Sequence, residues 1–541
     1  MFNGIKLQQE NQRLKAQMTL LLQENNQLKT NVVSLEERLT ESQNAQQNLL
    51  EQIKLMRHRT FGTKSEANLL QQSLFDEIGV ADQTPLEPDT QTITYTRKKK
   101  GQGHRVVLAE GLEQVEIILD IDEADKKCPC CDKERSKMGE EISERLIIIP
   151  AKINVERTIR PQYVCKNPQC DENTIVIQTL PPRILPKSYA SPSIIADILT
   201  KKYIEHMPLY RQQQRWKRVG VKLPRNTMCN WLMTLAKECS PLYQLLREYA
   251  ICYNILYIDE TTGQVLGEPG RDNRKKSYIW AYRGGPPDKP VVYYEYQESR
   301  SAEHPMRFLK DCSGFVLTDA YTGYDWIDAA AGFRLIHVFC MSHARRNFAD
   351  IVKITKTEGY AHQAIGYFEK LYAVEKTARE EKLTPEARFY LRLTEAKPIL
   401  DQLFTFLKET LPKANLNGKL GKAISYMLQR REGFYAYLTD GRLEIDNNLL
   451  ENQIRPFALG RKNWLFLGSP RGAEAACMFY TLIQTATANG LDPERYLTDM
   501  LEQLPYCKTK TDYEQLLPWH INKKDTELAI VNVSELLPSI Q

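Results

Sequence analysis

Leucines at positions 7, 14, 21, 28 and 35 recur every seventh residue, and Leu49 and Met56 rejoin the series after Ser42 interrupts it. A sustained seven-residue apolar repeat predicts a supercoiled helix. With these residues as d positions, the a positions are Asn11, Met18, Asn25, Val32, Leu39 and Ile53. Asparagine at a sacrifices apolar burial to fix register and strand number. Residues 1–58 therefore read as a leucine-zipper-like coiled coil that dimerises in parallel through Leu7, Leu14, Leu21, Leu28 and Leu35. The competing reading is a single amphipathic helix docked on the protein's own body. Residues 59–110 lose the period and pass from an acidic stretch, Asp76 to Asp89, to the run Arg97, Lys98, Lys99, Lys100. That is the pattern of a linker with a basic arm, which neutralises phosphates without reading sequence.

Residues 111–185 alternate Ile, Val and Tyr with polar positions between two short-spaced cysteine pairs, Cys128-Pro-Cys-Cys131 and Cys165-Lys-Asn-Pro-Gln-Cys170. Tetrahedral zinc needs four converging ligands, and two tight turns joined by a hairpin supply them. The expected ligands to one structural Zn2+ are Cys128, Cys131, Cys165 and Cys170, with Cys130 spare, although Cys128 with Cys130 is a second pairing. Unrelated buried cysteines are the plainer alternative.

From 186 to 245 the period becomes helical. Helices over Ser193–Lys202 and Pro208–Arg218 are followed by Val219-Gly220-Val221 and a helix from Arg225 to Lys237. The spacing predicts a helix-turn-helix domain. Arg211, Arg215, Lys217, Arg218, Lys222 and Arg225 lie there without an intervening acid, which suits a phosphate-facing surface. In such motifs the second helix enters the major groove, so Arg225, Asn226 and Thr227 are candidate DNA contacts. An ordinary helical hairpin with a solvated basic face is the alternative.

Beyond 246 come two buried strands that each end in a carboxylate, Ile255-Leu-Tyr-Ile-Asp259 and Gly314-Phe-Val-Leu-Thr-Asp319. Further strands are expected near 278–283, 290–296 and 333–339, with a helix at 302–310. Residues 344–440 read as helical throughout. A helix capped by Asp446 or Asn447 then carries Glu451, with Arg455 on the same face. Strand Asp, strand Asp, helical insertion and helix Glu follow one another as in a ribonuclease-H-like nucleotidyl transferase. Three carboxylates around two divalent ions can activate an attacking oxygen and stabilise a leaving one.

Composition changes this picture little. The 541 residues allow several folded units. Apolar residues at 42 % and charged ones at 26 % exclude collagen-like and wholly disordered chains. No run approaches the roughly 18 apolar residues of a membrane span, and the polar start lacks the apolar stretch of a secretory signal, so a cytoplasmic location is expected. A net charge of +5 neither requires nor excludes a polyanionic partner. Five of the twelve cysteines crowd between 128 and 170, which points to metal in a reducing compartment.

Asp259-Glu-Thr, Thr318-Asp-Ala-Tyr-Thr-Gly-Tyr324, His343-Ala-Arg-Arg-Asn-Phe348 and the stretch from Glu451 through Gly-Arg-Lys-Asn-Trp-Leu-Phe to Gly468 closely resemble insertion-sequence family sixty-six of the DDE transposases. Phe61-Gly-Thr-Lys-Ser-Glu66, Pro208-Leu-Tyr-Arg211, Asn489-Gly-Leu-Asp-Pro493 and Leu516-Leu-Pro-Trp519 extend the resemblance over essentially the whole chain. The resemblance implies a multidomain α/β protein with a ribonuclease-H-like core, residues 246–343 and 441–500, split by the all-helical insertion 344–440, and a C-terminal tail, 501–541. It implies Asp259, Asp319 and Glu451 as a catalytic triad holding two Mg2+ or Mn2+. It further implies cleavage at the inverted ends of a mobile element and attack of the freed 3′ hydroxyl on target DNA. Double-stranded DNA, a homodimer or higher oligomer, small accessory transposition proteins and a bacterial nucleoid setting are the partners and location that go with it.

Under the same resemblance Arg345, Arg346, Arg455, Arg461, Lys462 and Arg471 bind end or target phosphates. Cys340-Met-Ser-His343 looks like the Cys-x-x-His signature of insertion-bearing DDE enzymes. It is either a second metal site or a supporting pair that orients the active site. Two departures stand out: Asn452 follows Glu451 where many relatives place arginine, and the Cys165–Cys170 gap is wide for zinc. The rival functions are an idle, domesticated DNA-binding regulator and a metal-dependent nuclease that cuts without joining.

Overall fold

The structure is a computed structural model that describes residues 17–36 with a few flanking positions, 130 and 133, 153–163, 175–329, 334–355 and 359–521. Two compact units result, Met1–Leu70 with Pro182–Glu527 and Gln71–Pro181 with Leu528–Gln541. In the second, β1 (Gln162–Tyr163) pairs antiparallel with β2 (Val176–Ile177). This hairpin brackets the second cysteine pair in sequence, whereas the alternation predicts a hairpin between the two pairs; residues 153–161 of that segment are not strand, and most of the rest lies outside the described residues. In the first unit, residues 17–36 are helical and exposed along their length. Leu14, Leu21, Leu28 and Leu35 are each about 60 % exposed, so within one chain nothing covers the stripe of described leucines; Leu7 lies outside the described residues.

The body of this unit opens with α1 (Pro192–Tyr203), α2 (Leu209–Arg218), α3 (Arg225–Glu238) and α4 (Ser240–Cys252). Ser191 caps α1 by accepting the Ile194 amide. Gly220 turns the chain between α2 and α3 at φ +83°, a left-handed conformation that costs glycine little. These helices are not a separate bead: Tyr203 of α1 packs edge-on against Tyr480, and its ring also meets Phe479.

A five-stranded sheet follows, built from β3 (Ile255–Gln264), β4 (Lys276–Gly284), β5 (Val291–Gln297), β6 (Ser313–Thr318) and β7 (Arg334–Phe339), in the order β5-β4-β3-β6-β7. The first three form an antiparallel meander, and β6 and β7 run parallel to β3. The Ile255-Leu-Tyr-Ile258 run is apolar without alternation because both faces are covered. Ile255, Tyr257, Ile279, Ala281, Val292 and Tyr294 enter one core. Leu256, Ile258, Trp280, Tyr282 and Tyr293 enter the other, under α5 (Glu303–Phe308), where Tyr282 stacks on Phe308 at 3.6 Å. Such a pair is worth roughly 0.5–1.5 kcal/mol beyond its buried area.

After α6 (Trp326–Ala329) and β7 the chain is helical through α7 (Met341–Thr355), α8 (Tyr360–Glu380), α9 (Pro385–Leu391), a π-helical turn (Arg392–Ala396), α10 (Lys397–Thr410), α11 (Lys419–Gln429) and α12 (Arg431–Ala436). It returns to the sheet as α13 (Asn448–Trp464) and α14 (Pro470–Ala488), and ends in α15 (Pro493–Gln503) and α16 (Lys510–Gln515). α14 closes the sheet's edge strand: the Val292 and Tyr294 amides of β5 donate to Thr485 Oγ1 at 3.1 Å and Thr481 Oγ1 at 2.9 Å. Edge-strand amides that would otherwise invite another strand are satisfied in this way.

Candidate active site

Tyr257 of β3 pairs with Leu317 of β6 in parallel register. Asp259 and Asp319 each stand two residues further on, so the topology brings both carboxylates to the same end of two neighbouring strands. Period-two geometry does the rest. Asp259 shares the parity of Tyr257 and faces its side of the sheet, whereas Glu260 points to the other. Burial pushes the Asp259 carboxyl well above the usual carboxylate range, and the charges of Glu260, Asp319 and Glu451 add to the effect. The Glu260 amide, 2.8 Å from Asp259 Oδ1, works against it.

Glu451 arrives from the first turn of α13. Of the two capping residues the sequence offers, Asp446 accepts the first helical amide, whereas Asn447, just before that helix, makes no side-chain capping bond. Its Nδ2 donates instead to the carbonyl of Ile258 at 3.0 Å, beside Asp259, and its backbone amide donates to Cys340 Sγ at 3.2 Å. Asp446 accepts the Asn448 amide and the Tyr372 hydroxyl at 3.1 and 2.8 Å. The start of α13 is thus tied to β3, to the end of β7 and to the helical insertion.

Cys340, His343 and Glu451 each offer a ligand-type atom within 4.8 Å of the others. His343 Nδ1 lies 3.6 Å from Glu451 Oε1, and neither atom has a hydrogen-bond partner among the described residues. Burial lifts the Cys340 thiol to about 12, so at neutral pH it is a neutral acceptor for Asn447. Orphaned buried polar atoms near a carboxylate pushed up by burial and by its acidic neighbours are what a cation would relieve. Asp259, Asp319 and Glu451, the three acids expected from the sequence, would offer oxygen ligands alone, the chemistry that suits Mg2+ or Mn2+, whereas the ligand-type cluster among the described residues joins Glu451 to Cys340 and His343.

The basic residues divide. Arg346 Nη2 approaches Glu451 Oε2 at 3.7 Å while remaining half exposed. Arg345 and Lys462 are exposed, and Arg455 is half-buried. Arg461 is committed to β3, bonding Thr261 Oγ1, Thr262 Oγ1 and the Thr262 carbonyl. In the helix-turn-helix region Arg215 pairs with Asp197 at 3.0 Å and Arg211 leans on Tyr210. Lys217, Arg218, Lys222, Arg225 and Asn226 are exposed around the turn, and Thr227 is half-buried. Arg97, Lys98, Lys99, Lys100 and the cysteines at 128, 131, 165 and 170 lie outside the described residues; Cys130 is exposed.

Family models match nearly the whole chain from residue 48 onward. The description "Transposase IS66 family" matches residues 187–475, and "IS66 C-terminal element" matches 481–519. The chain belongs to the IS66 transposase family. A "zinc-finger binding domain of transposase IS66" matches residues 125–171, which include all four expected cysteine ligands. A "Transposase C of IS166 homeodomain" matches 48–117, from the end of the heptad repeat across the basic run. Three proteins of Sinorhizobium fredii (strain NBRC 101917 / NGR234) are similar along most of their length. Uncharacterized protein y4jD is 33 % identical over 76 % of this chain and 81 % of its own. Uncharacterized protein y4hP is 29 % identical over 82 % and 81 %, and uncharacterized protein y4qI 29 % over 87 % and 88 %. Membership makes this a transposase-type enzyme of the DDE class, with divalent-metal and zinc use and DNA as its partner. Among the described residues no helix is long and apolar enough to cross a membrane.

Sequence reasoning gave no role to Glu260, Arg300 or Tyr324, and only a capping role to Asn447. Glu260 is buried, accepts the Tyr324 hydroxyl at 2.6 Å and pairs with Arg300. Glu260, Tyr321 and Tyr324 stand inside the motifs quoted above. An acid directly after Asp259 on a two-sided buried strand, which must face the opposite core, was the signal to follow.

Proposed function

We propose that this transposase binds the inverted terminal repeats of an insertion sequence, cleaves their 3′ ends and joins them to target DNA. In this reading Asp259, Asp319 and Glu451 hold two Mg2+ or Mn2+ ions. The observation that supports it is that Asp259 and Asp319 stand at the same end of neighbouring strands, with the charges of Asp319 and of Glu451 on α13 adding to the lift of the buried Asp259 carboxyl. A sheet ordered as a three-strand antiparallel meander followed by two parallel strands supports a ribonuclease-H-like core. When bound, the ions supply charge stabilisation at the attacking and leaving oxygens. The chain's own part is to orient: Asn447 fixes α13 against β3, and His343 with Cys340 serves as a supporting pair for Glu451.

The zipper at residues 1–58 is assigned self-association, its leucines uncovered within one chain. Residues 111–185 are assigned a zinc module held by Cys128, Cys131, Cys165 and Cys170. The helix-turn-helix at 186–245 presents Arg225, Asn226 and Thr227 toward DNA, while Lys217, Arg218 and Lys222 with the basic arm Arg97–Lys100 engage phosphates. Arg345, Arg346, Arg455 and Lys462 line the approach to Glu451.

The test is a gel assay with Mg2+ on labelled duplexes carrying the element's own ends, comparing the protein with Asp319→Asn. Cleaved and joined products are expected only from the intact triad, with end binding nearly equal in the two. Cleavage without joining indicates a nuclease, and binding without cleavage a regulator.

A further inference from the structure

Arg300 lies in the loop between β5 and α5 and is held from three sides. Its Nε donates to Glu260 Oε1 at 2.5 Å, and its Nη2 pairs with the same carboxylate. Its guanidinium carbon sits 3.4 Å from the centre of the Tyr321 ring, and the Tyr321 hydroxyl donates to the Arg300 carbonyl at 3.3 Å. Glu260 is itself anchored, its side chain 2 % exposed and its other oxygen taken by fully buried Tyr324. The guanidinium therefore has one plane and one position. From there Nη2 reaches to 3.8 Å from Asp319 Oδ2, and the Arg300 side chain keeps 34 % of its surface. Asp319 is in turn fixed by the Tyr321 amide on Oδ1 at 3.2 Å.

A clamp that only neutralised Glu260 would need no exposed edge. Arginine carries five donors in a fixed fork, and no hydrogen bond from Nη1 is found among the described residues. An oriented, ionised donor edge beside a strand-end carboxylate matches a phosphodiester oxygen, an acceptor of opposite charge that a DNA strand brings to that place.

We propose that Arg300, preset by Glu260 and Tyr321, binds a backbone phosphate of the DNA end next to the bond that is cut. This rests on the transposase reading above. The arginine is a substrate contact, and Glu260, Tyr321 and Tyr324 are its positioning residues. No basic cluster in the sequence points to it, because Arg300 is an isolated arginine in a loop.

The experiment uses the full-length protein, its Arg300→Gln and Arg300→Lys variants and duplexes that each carry one uncharged methylphosphonate near the cleavage position. On the unmodified duplex Arg300→Gln should slow cleavage by about ten- to a hundredfold, the weight of a hydrogen bond to a charged group. Arg300→Lys, which keeps the charge but cannot serve both Glu260 and a phosphate, should fall between. Thermal midpoints within a few degrees of the parent exclude misfolding. At one phosphate position the neutral substitution should slow the parent protein to the rate of Arg300→Gln and leave that variant unaffected. If every position slows parent and variant alike, or if Arg300→Gln cuts at the parent's rate, the contact does not exist, whereas the function of the triad stands. If the parent protein itself cuts no end under conditions where it binds one, the transposase reading falls and this inference falls with it.

Discussion

Arg392 and Glu375 form a two-pronged ion pair wholly inside the helical insertion, with Nε to Oε1 at 2.7 Å and Nη2 to Oε2 at 3.0 Å, and neither side chain more than 1 % exposed. The remaining guanidinium donors reach the carbonyls of Tyr437, Asp440 and Leu443 at 2.7–2.9 Å. Arg388 joins the same carboxylate and extends the network to Glu444. Every donor of a buried arginine is thus used, and the connector leading into α13 hangs from it.

Breaking one partner of such a pair leaves an uncompensated buried charge, at a cost of about 3–5 kcal/mol. Arg392→Met is expected to lower the unfolding free energy obtained from urea titration by that amount. Because the connector delivers Glu451, end cleavage should fall further than DNA binding does. A variant with parental stability would show that the pair is dispensable.

The same pair sets an acid limit. Burial alone would raise the Glu375 carboxyl, but the hydrogen bonds and charges of Arg392 and Arg388 outweigh it and hold the carboxyl below its ordinary range. A carboxyl depressed in the folded state contributes stability that is complete above its unfolded value, about 4.3, and is lost as pH falls through the folded value. The stability gap between the parent and Glu375→Gln should therefore be widest near neutrality and shrink below about pH 4. Urea titrations from pH 7 to 3 measure it, and a gap that grows on acidification contradicts the assignment.

Thr481 and Thr485 offer a sharper test of edge protection. Replacing either with valine preserves shape but strands a buried β5 amide, which costs about 1–3 kcal/mol. Equilibrium unfolding should report that loss, and Thr481→Ser should recover most of it.

Elemental analysis should find about one zinc per chain in purified protein. Cys165→Ser with Cys170→Ser should release it, whereas Cys130→Ser should not. Metal-free protein that still binds DNA ends normally would remove zinc from the account.

Leu21→Ser with Leu28→Ser should shift sedimentation toward a smaller species without altering the unfolding of the sheet-containing body. Unchanged sedimentation would return the heptad helix to its solitary reading.

Much of this arrangement could be read from residue order. Uninterrupted apolar runs gave β3 and β6 their two-sided burial, and Gly220 marked the turn between α2 and α3, because both signals are local. The links between distant elements were not legible. Asn447 reads as a cap, since asparagine before a helix usually is one; its bond to Ile258 exists only because the sheet places a carbonyl there. Arg461 reads as a free cation in a basic stretch, yet it is spent on Thr261 and Thr262, far away in sequence. Arg300 and Arg392 gave no signal at all, as an isolated arginine acquires meaning only from what tertiary packing sets beside it.

The connection through the insertion has a temporal consequence. Domains form as the chain emerges from the ribosome, N-terminal parts first. The strands bearing Asp259 and Asp319 are made early, but Glu451 reaches them only on a helix whose start hangs from Asn447, Asp446 and the Arg392 network. A nascent or prematurely ended product therefore carries two acids and no third. With the three acids acting together as proposed, the capacity to cut DNA would come only once translation has passed the insertion.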